Sequence, residues 1–406
     1  MKLSPFLILC ITGLFAVFSS TLSKSPVLPL FAAHLGATPA EVGMIAAVSA
    51  LAGIAVSMPA GLLSDRWGRR RMLLASAAVF ASAPLLYTFV TGLWHLAAVR
   101  LYHGLATAVF IPVAMAAVSD LFHRERGEKI GWFSTATLLG RFMAPLVGGS
   151  ILGLFVLQPG TGYMAVYLAC GAAGAVMLLL SLRIPPLTKG SRKAQGWKET
   201  GRSFLAVVSH RGIILTSTAE ASLLFAYGTF ETFLPLYSVT RGLAAYETGV
   251  LLSAQVITLA LTKPVMGRFS DRHGRKPQIL SGGILGALCI GSLPLFTSFV
   301  PLLALSILFG LSLSLVTSAT SALIADLSER ESRGSAMGLL GTIMDIGHTA
   351  GPLVSGLIAS QFGFGAGFRG AAVVLALTTL VFGGTVREQK KASPSSPGAD
   401  RRACRY

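Results

Sequence analysis

The chain has 406 residues, of which 53% are hydrophobic and only 12% charged, with a net charge of +17 and a mean hydropathy of +0.70. A soluble domain carries about 25% charged residues, so a water-soluble enzyme is excluded. The absence of any Gly-x-x-x-x-Gly-Lys-Ser/Thr sequence argues against an ATP-driven motor within the chain. The four cysteines (Cys10, Cys170, Cys289, Cys404) lack metal-ligand spacing and read as small apolar residues.

Apolar runs long enough to cross a bilayer fall near 5–33, 41–60, 71–92, 94–119, 130–156 and 162–183. A second set falls near 212–238, 246–266, 277–297, 300–325, 334–360 and 366–386. The start, Met1-Lys2-Leu3 and an apolar run, resembles a signal peptide. Its removal would leave an odd number of spans and spoil the charge parity below, so it reads as span 1. Of the 33 Lys and Arg, 27 lie at the N-terminus, in even-numbered loops or in the C-terminal tail. Positive residues mark the cytoplasmic side, so both termini are expected inside, and the basic excess is a topology signal rather than a nucleic-acid footprint.

After span 2 comes a charged phrase, Gly61-Leu-Leu-Ser-Asp65-Arg66-Trp-Gly68-Arg69-Arg70. It returns 206 residues later, after span 8, as Gly267-Arg-Phe-Ser-Asp271-Arg272-His-Gly274-Arg275-Lys276. At the same offset Gly104 matches Gly310 and Asp120 matches Asp326, and beyond spans 4 and 10 the offset becomes 207. A duplication at half-length inside an apolar chain predicts two related helical bundles, the build of many secondary transporters. The expected division is residues 1–183, a linker 184–211, residues 212–386, and a Ser-, Pro- and Arg-rich tail 387–406.

Span 5 carries Gly131, Gly140, Ala144-Pro145 and Gly148-Gly149; span 11 repeats the pattern as Gly338, Gly347, Gly351-Pro352 and Ser355-Gly356. Gly140, Ala144 and Gly148 recur every four residues, a small-residue stripe for close helix contact, and Pro145 can kink its helix. Together with the charged phrase and Arg100-Leu-Tyr-His-Gly104 in span 4, these elements resemble the major facilitator superfamily along the whole chain. The span-5 pattern is similar to that of its efflux branches, with Ala144 standing where a glycine is usual. The resemblance implies twelve transmembrane helices in two pseudo-symmetric six-helix bundles, with a cavity lined by spans 1, 4, 7 and 10. It also implies a contact between Asp65 and the start of span 11, near Arg333, that biases the conformational equilibrium. In the plain alternative, Arg66, Arg69 and Arg70 only fix orientation. Asp271 and Arg272 belong to the weaker second copy.

Charges inside the membrane cost about 2.5–3.5 kcal/mol each at a helix centre, so each is a functional candidate. Away from the span ends, only Glu220, Glu231 and Asp345 among the acids lie within spans; they are the proton-coupling candidates. Glu220, Tyr227 and Glu231 share a face of span 7. Lys24 stands near the equivalent of Glu231 in span 1, so the two can pair, or Lys24 can snorkel outward. Asp345 and His348, at i and i+3, can meet on one face, and His348 aligns with Arg141. Arg100, Arg141, Tyr227, His348 and Lys24 are the cavity and substrate candidates, though each can equally serve a fixed ion pair or packing.

These residues carry no catalytic constellation and require no cofactor or metal. The expected function is proton-coupled efflux of a small amphipathic or drug-like compound by alternating access, from a monomer in a bacterial inner membrane. An uptake symporter for a metabolite and a lipid flippase are the alternatives.

Overall fold

The computed structural model describes residues 4–122, 125–185, 209–328 and 333–386, apart from the side chains of Ser57, Met58, Gly61, Leu62 and Asp65. Most of the expected linker and all of the tail 387–406 therefore lie outside the described residues. Those described are helical, with no strand among them.

In the first half, α1 (Pro5–Leu22) and α2 (Val27–His34) are followed by α3 (Pro39–Trp67), α4 (Arg69–Tyr87), α5 (Leu93–Leu121), α6 (Arg126–Leu154) and α7 (Pro159–Leu182). In the second half, α8 (Arg211–Thr240), α9 (Ala245–His273) and α10 (Arg275–Ser292) are followed by α11 (Phe299–Leu327), α12 (Arg333–Phe362) and α13 (Phe364–Thr385). Ten of the described segments, with α1 and α2 taken as one, are long and apolar enough to cross a membrane. The other two predicted spans, α4 and α12, begin with arginine and stand among the rest: α4 packs on α5 and α7, α12 on α8 and α3. Trp94, Leu157, Leu261 and Leu377 are more than half exposed, an apolar girdle that suits lipid.

Two expectations change in detail. The first span is not one helix. It is interrupted from Ser23 to Pro26, where Pro26 has no amide hydrogen to continue the ladder. The spans on either side of the charged phrase also run past their expected ends at 60 and 71. Helix α3 runs through Trp67, α4 starts at Arg69, and the turn is reduced to Gly68, whose φ of 93° favours glycine. Gly274 repeats this at φ 96°. The repeat extends to the starts of α3 and α9, where Glu41 and Glu247 each accept the N-cap amide, at 2.7 Å in both.

Successive spans alternate in direction, so the molecule has a basic end, carrying the charged phrases, and a far end. Across the halves, α3 packs on α12 and α6 on α9. Glycines make these crossings close. A β-carbon at Gly43 would collide with the Pro352 carbonyl oxygen, and one at Gly249 with that of Pro145. Gly149 and Gly356 are equally tight, against Ala245 and Pro39. All four sites are in the far half. Towards the basic end, Gly53, Gly131, Gly267 and Gly338 have nothing within 4 Å of such a carbon. The apolar core follows suit. One cluster joins both bundles, its first-half members all in the far half, while a separate cluster fills the basic half of the first bundle and a smaller one lies at the basic end of the second. The bundles meet at the far end and part at the basic end.

Candidate functional site

The parted bundles enclose a cavity of about 470 Å³, within the range of small-molecule sites. Its position follows from helix periodicity. Arg100, His103, Gly104, Thr107, Ala108, Ile111 and Pro112 line it, a single stripe of α5 at spacings of three and four residues. From the first half, the break after α1 adds Lys24, α3 adds Gly53 and α6 adds Arg141; the second half adds only Tyr227, Glu231, Asp345 and His348. Span 10 (α11), expected as a lining helix, contributes no lining residue, whereas spans 2, 5 and 11 do. The α11 stripe that corresponds to α5 is filled by its own bundle: Phe309 is fully buried and packs on Phe230 at 5.1 Å.

The interruption in the first span places Lys24 where an unwound turn meets the cavity. Its ammonium donates to Glu231 Oε2 at 2.6 Å, and His348 Nε2 stands 3.3 Å from the same oxygen. His348 in turn stacks on Tyr227, with centroids 5.4 Å apart and planes 16° apart. One carboxylate thus ties the break between α1 and α2 of the first bundle to α8 and α12 of the second. The predicted meeting of Asp345 with His348 does not occur, because His348 turns to Glu231 instead. Asp345 is exposed to the cavity, and its carboxylate has no hydrogen bond or ion pair among the described residues.

Glu220 is separate from this group. It shares a helix with Tyr227 and Glu231, but it is 1% exposed, accepts a hydrogen bond from the Thr320 hydroxyl of α11, and does not line the cavity. Eleven residues make three turns with only about 20° left over, so Glu220 keeps nearly the same heading but lies about 16 Å along the helix from Glu231, where Thr320 is its neighbour. Arg100 is 3% exposed and donates to Ser23 Oγ at 3.3 Å. Arg141 reaches the cavity from α6.

The small-residue pattern of span 5 divides its work. Gly140 and Gly148 face α1, near Leu14 and Leu22, whereas Gly149 faces α9 of the other bundle. Ala144 and Pro145 are buried between them. In α12, Gly347 and Gly351 face α8, at Ala221 and Phe225; Pro352 carries the carbonyl that Gly43 approaches.

At the basic end, Arg69 donates to Asp120 at 3.0 Å and also to the Ser64 hydroxyl. Its copy Arg275 donates to Asp326 at 3.4 Å and to Ser270 at 3.0 Å. Arg70 donates to the Leu182 carbonyl at 3.1 Å. These bonds pin α4 to the ends of α5 and α7, and α10 to that of α11, so they do more than set orientation. Arg66 and Arg272 are exposed, and Asp271 pairs with Arg275 one turn on, at 2.6 Å. The Asp65 side chain and Gly61 lie outside the described residues, while Arg333 donates to the Ala325 carbonyl at 3.0 Å.

Sequence reading passed over Ser23, His103 and the pairing role of Asp120. Each had a signal. Asp120 and Asp326 recur at the repeat offset, and His103 lies three residues after Arg100 on one helix face.

Comparison with known proteins matches the family model described as Major Facilitator Superfamily over residues 9–254 and 242–403. The multidrug resistance protein MdtG of Proteus mirabilis is 26% identical over 367 residues, covering 86% of this chain and 88% of the relative. An uncharacterized MFS-type transporter of Methanocaldococcus jannaschii is 24% identical over 353 residues, covering 86% and 90%. Among solved structures, the inward-facing, unoccupied bacterial homologue of the human lysosomal transporter Spinster superposes with TM-score 0.77 at 16% identity, covering 94% and 95%. The nucleoside transporter NupG superposes with TM-score 0.76 at 17% identity, covering 94% and 98%. The chain is a multi-pass membrane transporter that belongs to the major facilitator superfamily.

Proposed function

We propose that the chain is a proton-coupled exporter of small amphipathic compounds, working by alternating access in a bacterial inner membrane. The observation that carries this reading is the central cavity, open towards the basic end, with Lys24, Glu231 and His348 joining the bundles beside an unpaired Asp345. By the positive-inside rule the basic end is cytoplasmic, so both termini are inside and the described state faces inward. The span-5 pattern and relatives named as multidrug resistance proteins in Proteus mirabilis and Bacillus subtilis support export over uptake. We take residues 1–183 and 212–386 as the two bundles, 184–211 as their linker, 387–406 as a tail, and the monomer as the working unit.

In this mechanism a compound enters from the cytoplasm and seats between the bundles. The far-end crossings Gly43–Pro352 and Gly249–Pro145 then separate while the basic end closes. A carboxylate that reaches water can exchange a proton; one enclosed by its helix cannot do so without a structural opening. Asp345 is therefore the first site for the coupling proton. Protonation of Glu231 would release Lys24 and loosen the tie between the bundles, which makes that pair the gate. Asp65 keeps its proposed part as a latch on the start of α12, which Asp65→Asn would release, with a changed distance between labels on the two basic ends.

Everted membrane vesicles from cells lacking endogenous pumps provide the test. Export predicts that an acid vesicle lumen drives dye or drug accumulation, and that an uncoupler abolishes it. If the same gradient empties the lumen, the protein is an uptake symporter; if accumulation ignores the uncoupler, proton coupling is wrong.

A further inference from the structure

The α5 side of the cavity holds a cation without a counter-ion. Arg100 is 3% exposed, its hydrogen bond goes to a neutral hydroxyl, Ser23 Oγ, and its Nε has no partner. No carboxylate among the described residues pairs with it: Glu231 is engaged by Lys24 and His348, and Asp345 has no ion pair. Beside Arg100, His103 is 1% exposed. Its Nδ1 lies 3.4 Å from the same Ser23 hydroxyl and its Nε2 has no partner. Buried polar groups are hydrogen-bonded as a rule, and a buried guanidinium left unpaired is costly. Two such groups, one turn apart on one wall of the cavity, point to a guest that supplies what they lack.

Internal symmetry separates this from a packing requirement. At the repeat offset of 206, Lys24, Arg100 and His103 correspond to Phe230, Ser306 and Phe309. Phe230 and Phe309 are fully buried against each other, and Ser306 bonds its own helix at Leu302. The crossing itself is the same in both halves, since Gly104 packs on Ser49 as Gly310 packs on Gln255. The second bundle thus builds this crossing with no charge at all.

We propose that Arg100, assisted by His103 and Ser23, forms a subsite for the anionic group of the transported compound. This rests on the cavity being the transport site. The cargo is then an amphipathic organic anion. Its carboxylate or phosphate accepts from the guanidinium, a charge-assisted bond of the stronger kind. Its apolar body lies along Ala108, Ile111 and Pro112 of the same stripe, about 16 Å of helix from Arg100 to Ile111. Lys24 and Arg141 line the same cavity and favour the same sign of guest. Asp345 and Glu231 face it from the second bundle and keep the anion on the α5 side.

The test uses the full-length protein in phosphatidylcholine nanodiscs with two fluorescent probes, dansylaminoundecanoic acid and its methyl ester. The acid is expected to bind about tenfold or more tighter than the ester, the range of a hydrogen bond to a charged group. Arg100→Gln brings the ratio to about one while ester binding persists, and Arg100→Lys restores part of the preference. His103→Gln, which leaves the guanidinium in place, reduces the ratio less and serves if the arginine variants do not fold. Equal binding of acid and ester by the native protein, or an unchanged preference in Arg100→Gln, overturns the subsite alone. If neither probe binds, the cavity reading falls and the subsite with it. Phosphatidylglycerol discs tell the source of the anion: an unchanged acid affinity assigns the subsite to a free solute, a lowered one to competition from a lipid headgroup. Both results require anion recognition.

Discussion

The two bundles share a frame and differ in what they place on it. At three equivalent positions the first has Lys24, Arg100 and His103, and the second has Phe230, Ser306 and Phe309. The first set faces a cavity; the second fills the space where a mirror-image cavity would be. The midplane is therefore lopsided, with its cations on the first bundle and its acids, Glu231 and Asp345, on the second. Duplication supplies the shared frame, and departures from duplication supply the chemistry. A residue that breaks the repeat in a span is thus a better guide to cargo than one that keeps it.

The largest expected effect breaks the packed side. Phe309→Ala opens a void beside Phe230 and should lower stability by about 3–5 kcal/mol, the usual cost of truncating a buried aromatic. His103→Phe imports the second bundle's residue at the matching position. It removes a buried atom that has no partner, so its stability should stay within about 1 kcal/mol of the native protein. Thermal unfolding of both purified variants decides the matter; equal losses would mean that the two faces are packed alike.

Next comes the tie across the midplane. Lys24→Met strands Glu231 with His348 alone. Removing one member of a fully buried pair costs about 3–5 kcal/mol. Here the lysine side chain is 23% exposed to the cavity, so about 2 kcal/mol is expected. Glu231→Gln should cost about as much, and the double variant less than the sum. Additive losses would show that the pair makes no joint contribution.

Much of the frame was legible from residues alone. Twelve spans, the charged phrase and the repeat offset all follow from hydropathy and from simple self-comparison. The break at Ser23–Pro26 was half legible. Pro26 was visible, but prolines inside α3, α5 and α8 leave those helices continuous. The cavity was harder, because apolar helices carry little record of which face meets a neighbour. Helical spacing grouped Glu220 with Glu231, yet three turns further along the helix the neighbour is Thr320 and no longer the cavity. The i, i+3 rule allowed Asp345 to meet His348, yet a carboxylate from another helix was nearer. Spacing restricts which partners are reachable, and tertiary neighbours choose among them.

That distinction sets up a smaller test, between the two acids that spacing treated alike. Asp345→Asn should reduce proton-driven transport about tenfold or more, a loss near 1.4 kcal/mol, and flatten its dependence on pH. Glu220→Gln keeps the bond from Thr320 possible and should change transport far less. Initial rates in proteoliposomes across a pH series separate them. A reversed order would move the coupling proton to the interior of the second bundle.

The smallest effect concerns the copies of the charged phrase, where the halves agree in kind and differ in degree. Arg69 meets Asp120 at 3.0 Å, with that carboxylate side chain 23% exposed; Arg275 meets Asp326 at 3.4 Å, with 46% exposed. Solvent screens the second pair more, and Arg275 holds Asp271 as well, itself 63% exposed. Exposed pairs are worth about 0.2–1 kcal/mol. Arg69→Gln should therefore sit near the top of that range and Arg275→Gln near the bottom, as read from unfolding midpoints. If Arg275→Gln is the costlier change, the second copy is the tighter clamp, and the basic end of the second bundle would be the rigid body against which the first one moves.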